Sequence, residues 1–303
     1  MYQSKQVHRY EDEQVLKIAF NGSGMEVSKF RIVEIITPKV LSKRQIKENW
    51  KGFYAGIGGT VNQNHLLYDH PFMENPYPHI ENTPLLSYSF GAIAQYNFGA
   101  SAGFQIELVY RNYKVSQTIN SYEIIDNTFL IDEENDRYNR IAEVDSFGSQ
   151  LNITMIDIPV LLNLRPYASP KVAWNLQLGV RNQIILNASS IMTGNVEYKG
   201  FYPDYPVVLY GLPEYGFTSD RYPGEETELK TDKYTLLGSF GTGLDFRFSK
   251  QWLLSIGVRL DYSLLDFNIT HMALNEDYHD LIMPSSSKIM VYNVYINLLY
   301  KIY

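Results

Sequence analysis

The chain contains no cysteine, which removes disulfides, thiolate metal sites, iron–sulfur clusters and cysteine nucleophiles together. Charge is sparse: Asp, Glu, Lys and Arg make up 19% of the 303 residues, and the net charge of −7 offers no basic face to a nucleic acid. No apolar run approaches the roughly 18 residues that mark a membrane-spanning helix. Two glycine-rich runs, Gly56-Ile57-Gly58-Gly59 and Gly241-Thr242-Gly243, lie inside alternating segments without a following helix, so they are not phosphate loops. Glycine there suits curvature and close strand approach. None of these absences touches a transmembrane barrel, whose strands alternate and read as half polar.

What the chain does have is aromatic residues, 14% of the total with 25 tyrosines, and period-two alternation. Gly and Pro punctuation isolates eight alternating segments after Trp50, at 51–62, 86–98, 101–114, 150–165, 171–187, 234–248, 252–267 and 289–303. Three links are tight: Gly99-Ala100, Pro166 to Pro170, and Ser249-Lys250-Gln251. Such links force antiparallel pairing. The others, 63–85, 115–149, 188–233 and 268–288, are long. Short links at one end and long ones at the other predict an all-β, eight-stranded antiparallel up-and-down transmembrane barrel with long extracellular loops. An even strand count then places both termini on the periplasmic side.

The two faces of each strand sharpen this. In the last segment, Met290, Tyr292, Val294, Ile296, Leu298, Tyr300 and Ile302 share one face, and Asn293, Asn297 and Lys301 the other. In segment seven, Trp252, Leu254, Ile256, Val258, Leu260, Tyr262 and Leu264 oppose Ser255, Gly257, Arg259, Asp261 and Ser263. A water-soluble carrier would crowd its polar face with Lys and Glu. Here that face is Gly, Ser, Asn and Gln with few charges, namely Glu107, Arg111, Asp157, Arg181, Asp245, Arg247, Arg259, Asp261 and Lys301. These nine are expected to form an interior charge network, because an unpaired buried charge costs about 3–5 kcal/mol. Trp252 and Tyr262 lie on the apolar face and span about 25 Å along the membrane normal, given about 3.3 Å per residue and a tilt near 40°. Phe98, Trp174, Phe246, Phe248, Trp252 and Tyr300 form one expected girdle. Tyr88, Tyr110, Tyr234, Tyr262 and Tyr292 form the other. An interior of eight strands is filled by side chains, so no wide pore is expected.

The run Ile156-Asp157-Ile158-Pro159-Val160-Leu161-Leu162-Asn163-Leu164 resembles the acidic-Ile-Pro-Leu-Leu-Leu signature of the PorT-like outer-membrane β-barrel family of Bacteroidota. The opening Lys51-Gly52-Phe53-Tyr54-Ala55-Gly56-Ile57-Gly58-Gly59 and Gly243-Leu244-Asp245-Phe246 look like the same family. The likeness covers about residues 50–303 and implies a bacterial outer-membrane barrel, with a place in an envelope or secretion assembly. One departure is that the outward residue at the C-terminus is Ile302 rather than an aromatic, with Tyr303 pointing inward or frayed.

Residues 1–48 lie outside the resemblance. They carry no basic segment followed by an apolar one, so a processed form is expected. Val15 to Phe20, a turn at 21–24 and Met25 to Ile36 read as a hairpin, hence a periplasmic extension at 1–48 and a barrel at 49–303.

Candidate chemistry is thin. His65, His70 and His79 fall in the first long connection and His271 and His279 in the last. A cluster of these with Asp69 is geometrically conceivable, but solvated loop histidines are the commoner reading, and neither metal nor cofactor is expected. A lipid- or peptide-modifying enzyme built on rim histidines stands as the alternative, without a spacing that singles out a triad. Asp132, Glu133, Glu134 and Asp136 fail the calcium-loop spacing. The third connection concentrates Tyr198, Phe201, Tyr202, Tyr205, Tyr210, Tyr215, Phe217 and Tyr222 among prolines. Both self-packing and contact with a glycan or protein partner follow from that composition. The expected role is a non-enzymatic surface or scaffold protein, with outer-membrane lipid around it and envelope proteins reached through loops or the extension. A small-solute channel is the further alternative.

Overall fold

The computed structural model describes residues 4–10, 13–18, 49–68, 80–272, 274, 282–283 and 286–302. Residues 1–40 and 41–303 form two separate compact units. In the first, β1 (Ser4–Tyr10) pairs antiparallel with β2 (Glu13–Ile18). The strand expected at Val15 thus has its partner before it, and the expected partner at 25–36 lies outside the described residues.

The second unit holds β3 (Gly52–Leu67), β4 (Ile80–Pro84), β5 (Leu86–Asn97), β6 (Ala102–Ile119), β7 (Tyr122–Ile131), β8 (Arg137–Ala168), β9 (Val172–Tyr202), β10 (Val207–Tyr210), β11 (Ser219–Thr231), β12 (Tyr234–Arg247), β13 (Trp252–Ser263), β14 (Phe267–His271) and β15 (Ser286–Lys301). Eight of them close a ring in the order β3-β5-β6-β8-β9-β12-β13-β15 and back to β3, every pair antiparallel. Closure leaves no barrel edge unpaired. The tight turns have identifiable chemistry. Ser169 Oγ accepts the Val172 N–H at 2.9 Å, and Ser249 Oγ accepts those of Gln251 and Trp252 at 3.1 and 3.0 Å. A side chain on Gly56 would overlap the Leu298 carbonyl, so the β3–β15 contact requires a glycine there.

The barrel is inverted relative to a soluble protein. Leu86 is 73% exposed and Ile57 68%, and they belong to a continuous outward belt with Phe90, Leu108, Val258, Val294 and Ile296. Asn64, Asn97, Asp157, Asp245 and Asp261 have no exposure at all. A belt of that extent far exceeds the few hundred Å² of apolar patch a soluble monomer shows, so hydrocarbon is its solvent. Trp252 stands against Tyr300 at 5.1 Å and Phe248 at 6.4 Å near the short turns, with Phe98 and Trp174 also exposed there. Tyr88, Tyr110, Tyr234 and Tyr292 are exposed toward the opposite end.

The second and third long connections are not irregular loops. β8 and β9 run on for 32 and 31 residues, and β7, β10 and β11 pair with their extensions to build a β-structured head. Inside the head the polarity reverses. Tyr113, Val115, Phe147, Leu151, Ile153, Met155, Met192, Val196, Tyr198, Phe217 and Val291 form one buried apolar cluster. At the short-turn end a second cluster, Trp50, Tyr54, Ile93, Ala173, Leu253 and Leu299, makes a floor, and Trp50 Nε1 donates to the Ser169 carbonyl at 2.8 Å.

Candidate functional site

Between floor and head core lies the polar lumen, built in three tiers. Nearest the head, Asp157 Oδ2 receives Arg111 Nε at 2.6 Å and Arg181 Nη1 at 2.7 Å, and its other oxygen receives Gln183 at 2.9 Å. Arg181 also reaches Asp261 at 3.1 Å, which accepts Asn293 Nδ2 at 2.7 Å. In the middle tier Arg259 meets Glu107 at 2.9 Å, while Gln177 Oε1 accepts from the same guanidinium at 2.9 Å and Tyr295 lies under it at 5.2 Å. In the lowest tier Arg165 pairs with Asp245 at 2.7 Å, donates to Asn97 at 3.0 Å and sits 5.4 Å over the Trp50 ring.

Of the nine expected network residues, Glu107, Arg111, Asp157, Arg181, Asp245, Arg259 and Asp261 are joined in these tiers. Arg247 is buried at the short-turn rim, donating to the Lys250 carbonyl at 2.9 Å. Lys301 is half-buried over Tyr54. Sequence reasoning missed Arg165. It shares the odd parity of Asp157 and Asn163, a signal masked by Pro166, which reads as turn. With it, four guanidiniums face four carboxylates, and that balance is the condition under which charges tolerate burial.

The aromatic third connection divides. Tyr198, Tyr202, Phe217 and Tyr222 are buried in the head core, where Tyr138 stacks on Tyr202 at 5.6 Å and Tyr198 and Tyr222 share a hydroxyl contact of 3.2 Å. Tyr205 and Tyr210 are exposed, and Phe201 and Tyr215 half-buried. The acidic run at 132–136 is a tight turn: Asp132 Oδ1 accepts the N–H of Glu134 and Asp136 at 3.0 and 2.9 Å. Tyr202 donates to its second oxygen at 2.9 Å, and Tyr215 to Glu134 at 3.2 Å. Burial pushes the Asp132 carboxyl up, but these donors outweigh it and hold it below its ordinary value.

Of the rim histidines, His65 and His271 are among the described residues. His65 lies within β3, half-buried beside Tyr292 at 5.6 Å, and shares the outward parity of Val61. His271 is buried on β14 with Phe267 and Ile269, on the inward face. His70, His79, His279 and Asp69 lie outside the described residues. Among the described residues no three His, Asp or Glu side chains are grouped to hold a metal ion. A cavity of about 550 Å³ opens between Val61, Leu86, Phe240, Val258, Tyr292 and Val294, on the apolar outward side.

A closed antiparallel ring with polar lumen and apolar belt defines the transmembrane β-barrel class. The outer membrane protein beta-barrel domain family matches residues 42–268, and the chain belongs to that family, which places it in the bacterial outer membrane. No curated protein matches it. Among solved structures it is similar to the outer membrane protein OprG from Pseudomonas aeruginosa, at 13% identity over 84% of this chain and 97% of that one, with a TM-score of 0.42. Ail of Yersinia pestis gives 11%, 82%, 98% and 0.30. AlkL in DMPC bilayers gives 12%, 84%, 92% and 0.33.

Proposed function

We propose that this protein is a closed, non-enzymatic outer-membrane barrel that anchors a β-structured head, and that the head contacts a partner as a surface or scaffold component of an envelope assembly. The observation that carries this reading is the filled lumen. An apolar floor, three tiers of paired charges and an apolar head core follow one another along the barrel axis, which leaves the continuous strands of the head as the feature exposed for work. The head faces the outside of the cell and the short turns and barrel termini the periplasm, in keeping with short turns at one end only. The finer PorT-like assignment rests on the run from Ile156 to Leu164, which supplies Asp157 to the upper tier.

A second reading, a small-solute channel, is favoured by one observation. Arg111 Nη2, Arg165 Nη2, Arg181 Nε and Gln177 Nε2 are buried with no hydrogen-bond partner among the described residues. Buried groups of this kind are ordinarily satisfied by ordered water, which a solute-conducting lumen would supply. Planar-bilayer recording of the full chain decides between the two. The closed barrel is expected to give a flat trace, and reproducible unitary conductance overturns it in favour of the channel.

A further inference from the structure

The face of the head turned away from its core carries an ordered set of side chains. Cross-strand partners share a face, so the registers fix its rows. Phe129, Asn139, Phe201 and Val208 lie abreast on β7, β8, β9 and β10. The next row is Ile125, Ile141, Lys199 and Tyr210. The row after that is Glu123, Glu143 and Glu197. Phe129 is 54% exposed, Ile125 51%, Tyr210 65% and Val208 40%, while Asn139 and Ile141 between them are buried, so the outer strands carry the exposed apolar surface. Three carboxylates directly abreast repel one another. Lys199 bridges Glu143 and Glu197, and one ammonium for three carboxylates leaves the row negative. The surroundings have the same sign: residues 120–149 and 188–231 hold fifteen Asp and Glu against five Lys and Arg.

A largely apolar face that ends in an acidic row has two requirements of whatever covers it. It must bring apolar side chains to the Phe129–Val208 row, and positive charge to Glu123, Glu143 and Glu197. We propose that this face is the docking surface for a cationic protein segment that alternates basic and apolar side chains. The proposal rests on the closed-barrel reading and names the chemistry of its partner. The apolar row supplies affinity at the centre, and the acidic row supplies selection by sign and a faster encounter at low salt.

The test uses the full chain in DMPC nanodiscs, with empty nanodiscs as the baseline, and a fluorescent octapeptide of alternating Lys and Phe. Alternating Glu-Phe and Lys-Ser octapeptides serve as controls. The Lys-Phe peptide is expected to bind above the baseline and the controls not to. Phe129→Ser combined with Val208→Ser should weaken binding at least tenfold. Glu123→Gln, which preserves shape, should weaken it severalfold and flatten its salt dependence. Equal binding of the Lys-Phe and Glu-Phe peptides, or unchanged binding by the double variant, overturns the proposal. Because conductance is recorded separately, a silent bilayer with no peptide binding removes this inference alone, whereas a conducting one removes the closed barrel.

Discussion

Arg259 and Glu107 meet from opposite sides of the barrel, Nη2 to Oε1 at 2.9 Å and Nη1 to Oε2 at 3.3 Å. Their strands, β13 and β6, stand four places apart in the ring of eight, so this bidentate pair spans the full lumen. Truncating one member leaves the other charge buried and uncompensated. Arg259→Ala should therefore destabilise by about 3–5 kcal/mol, while Lys250→Ala in an exposed turn stays within about 0.5 kcal/mol. Urea midpoints in micelles check this, and equal midpoints contradict the inward placement of Arg259.

The same pair tests the proposal that the barrel is closed. If Arg259 and Glu107 were the whole obstruction, removing both would open a path. The floor of Trp50, Tyr54, Leu253 and Leu299 lies on one side of them, and the apolar layer at Tyr113, Leu151 and Val291 on the other. The double variant Arg259→Ala with Glu107→Ala should remain silent in planar bilayers. Currents from it alone would show that neither apolar layer seals.

The barrel was legible because each of its strands keeps one phase, so Tyr292 to Ile302 and Trp252 to Leu264 could be read as faces without coordinates. The head was not, because its strands change phase. In β9 the inward positions are odd through Gln183 and even from Ala188 to Tyr198, and the ladder with β8 slips where Thr154 pairs Asn187 but Met155 pairs Ile185. β8 slips again between Asp145 and Gly148, where Ser146 has a φ of 50°. A β-bulge adds one residue and turns the alternation over, so a period-two pattern looks finished at 187 although the strand continues to Tyr202. Parity alone put seven members of the tiers on the inward face, but it missed Arg165 beside its proline and took in Arg247 and Lys301, which lie outside the tiers. The exposed members of the aromatic set could not be separated from the buried ones, because both kinds are aromatics among prolines and their burial depends on pairing across β8, β9 and β10.

The acidic turn carries a pH expectation. Burial tends to raise the Asp132 carboxyl, yet the N–H groups of Asp136 and Glu134 and the Tyr202 hydroxyl lower it below the ordinary 3.8. A folded value below the unfolded one means that the stabilisation is present above the unfolded pKa and is lost as pH falls through the folded one. The turn should therefore hold at neutral pH and loosen below about pH 4. Carbon-13 titration of Asp132 should give a midpoint below 3.8, and Tyr202→Phe should move it upward. A midpoint at or above the ordinary value, in either form, contradicts the capping role.

Gly200 separates head from barrel most cleanly. It lies on β9 between Tyr198 and Tyr202, and a Cβ there would run into the Phe217 ring, with Cε1 at 2.8 Å. Phe217 is fully buried and packs against Tyr138 at 5.7 Å and Tyr215 at 6.2 Å. Its ring cannot retreat without disturbing both, so Gly200→Val should cost about 1–3 kcal/mol by overpacking. That cost falls on the head alone, because the lumen tiers and the floor share no residue with this contact. Limited proteolysis should cut the variant faster between β9 and β11, while the heat-induced shift of the folded barrel on gels stays at the wild-type temperature. If the barrel transition falls together with protease resistance, head and barrel fold as one cooperative unit, and the anchor-and-head division fails with it.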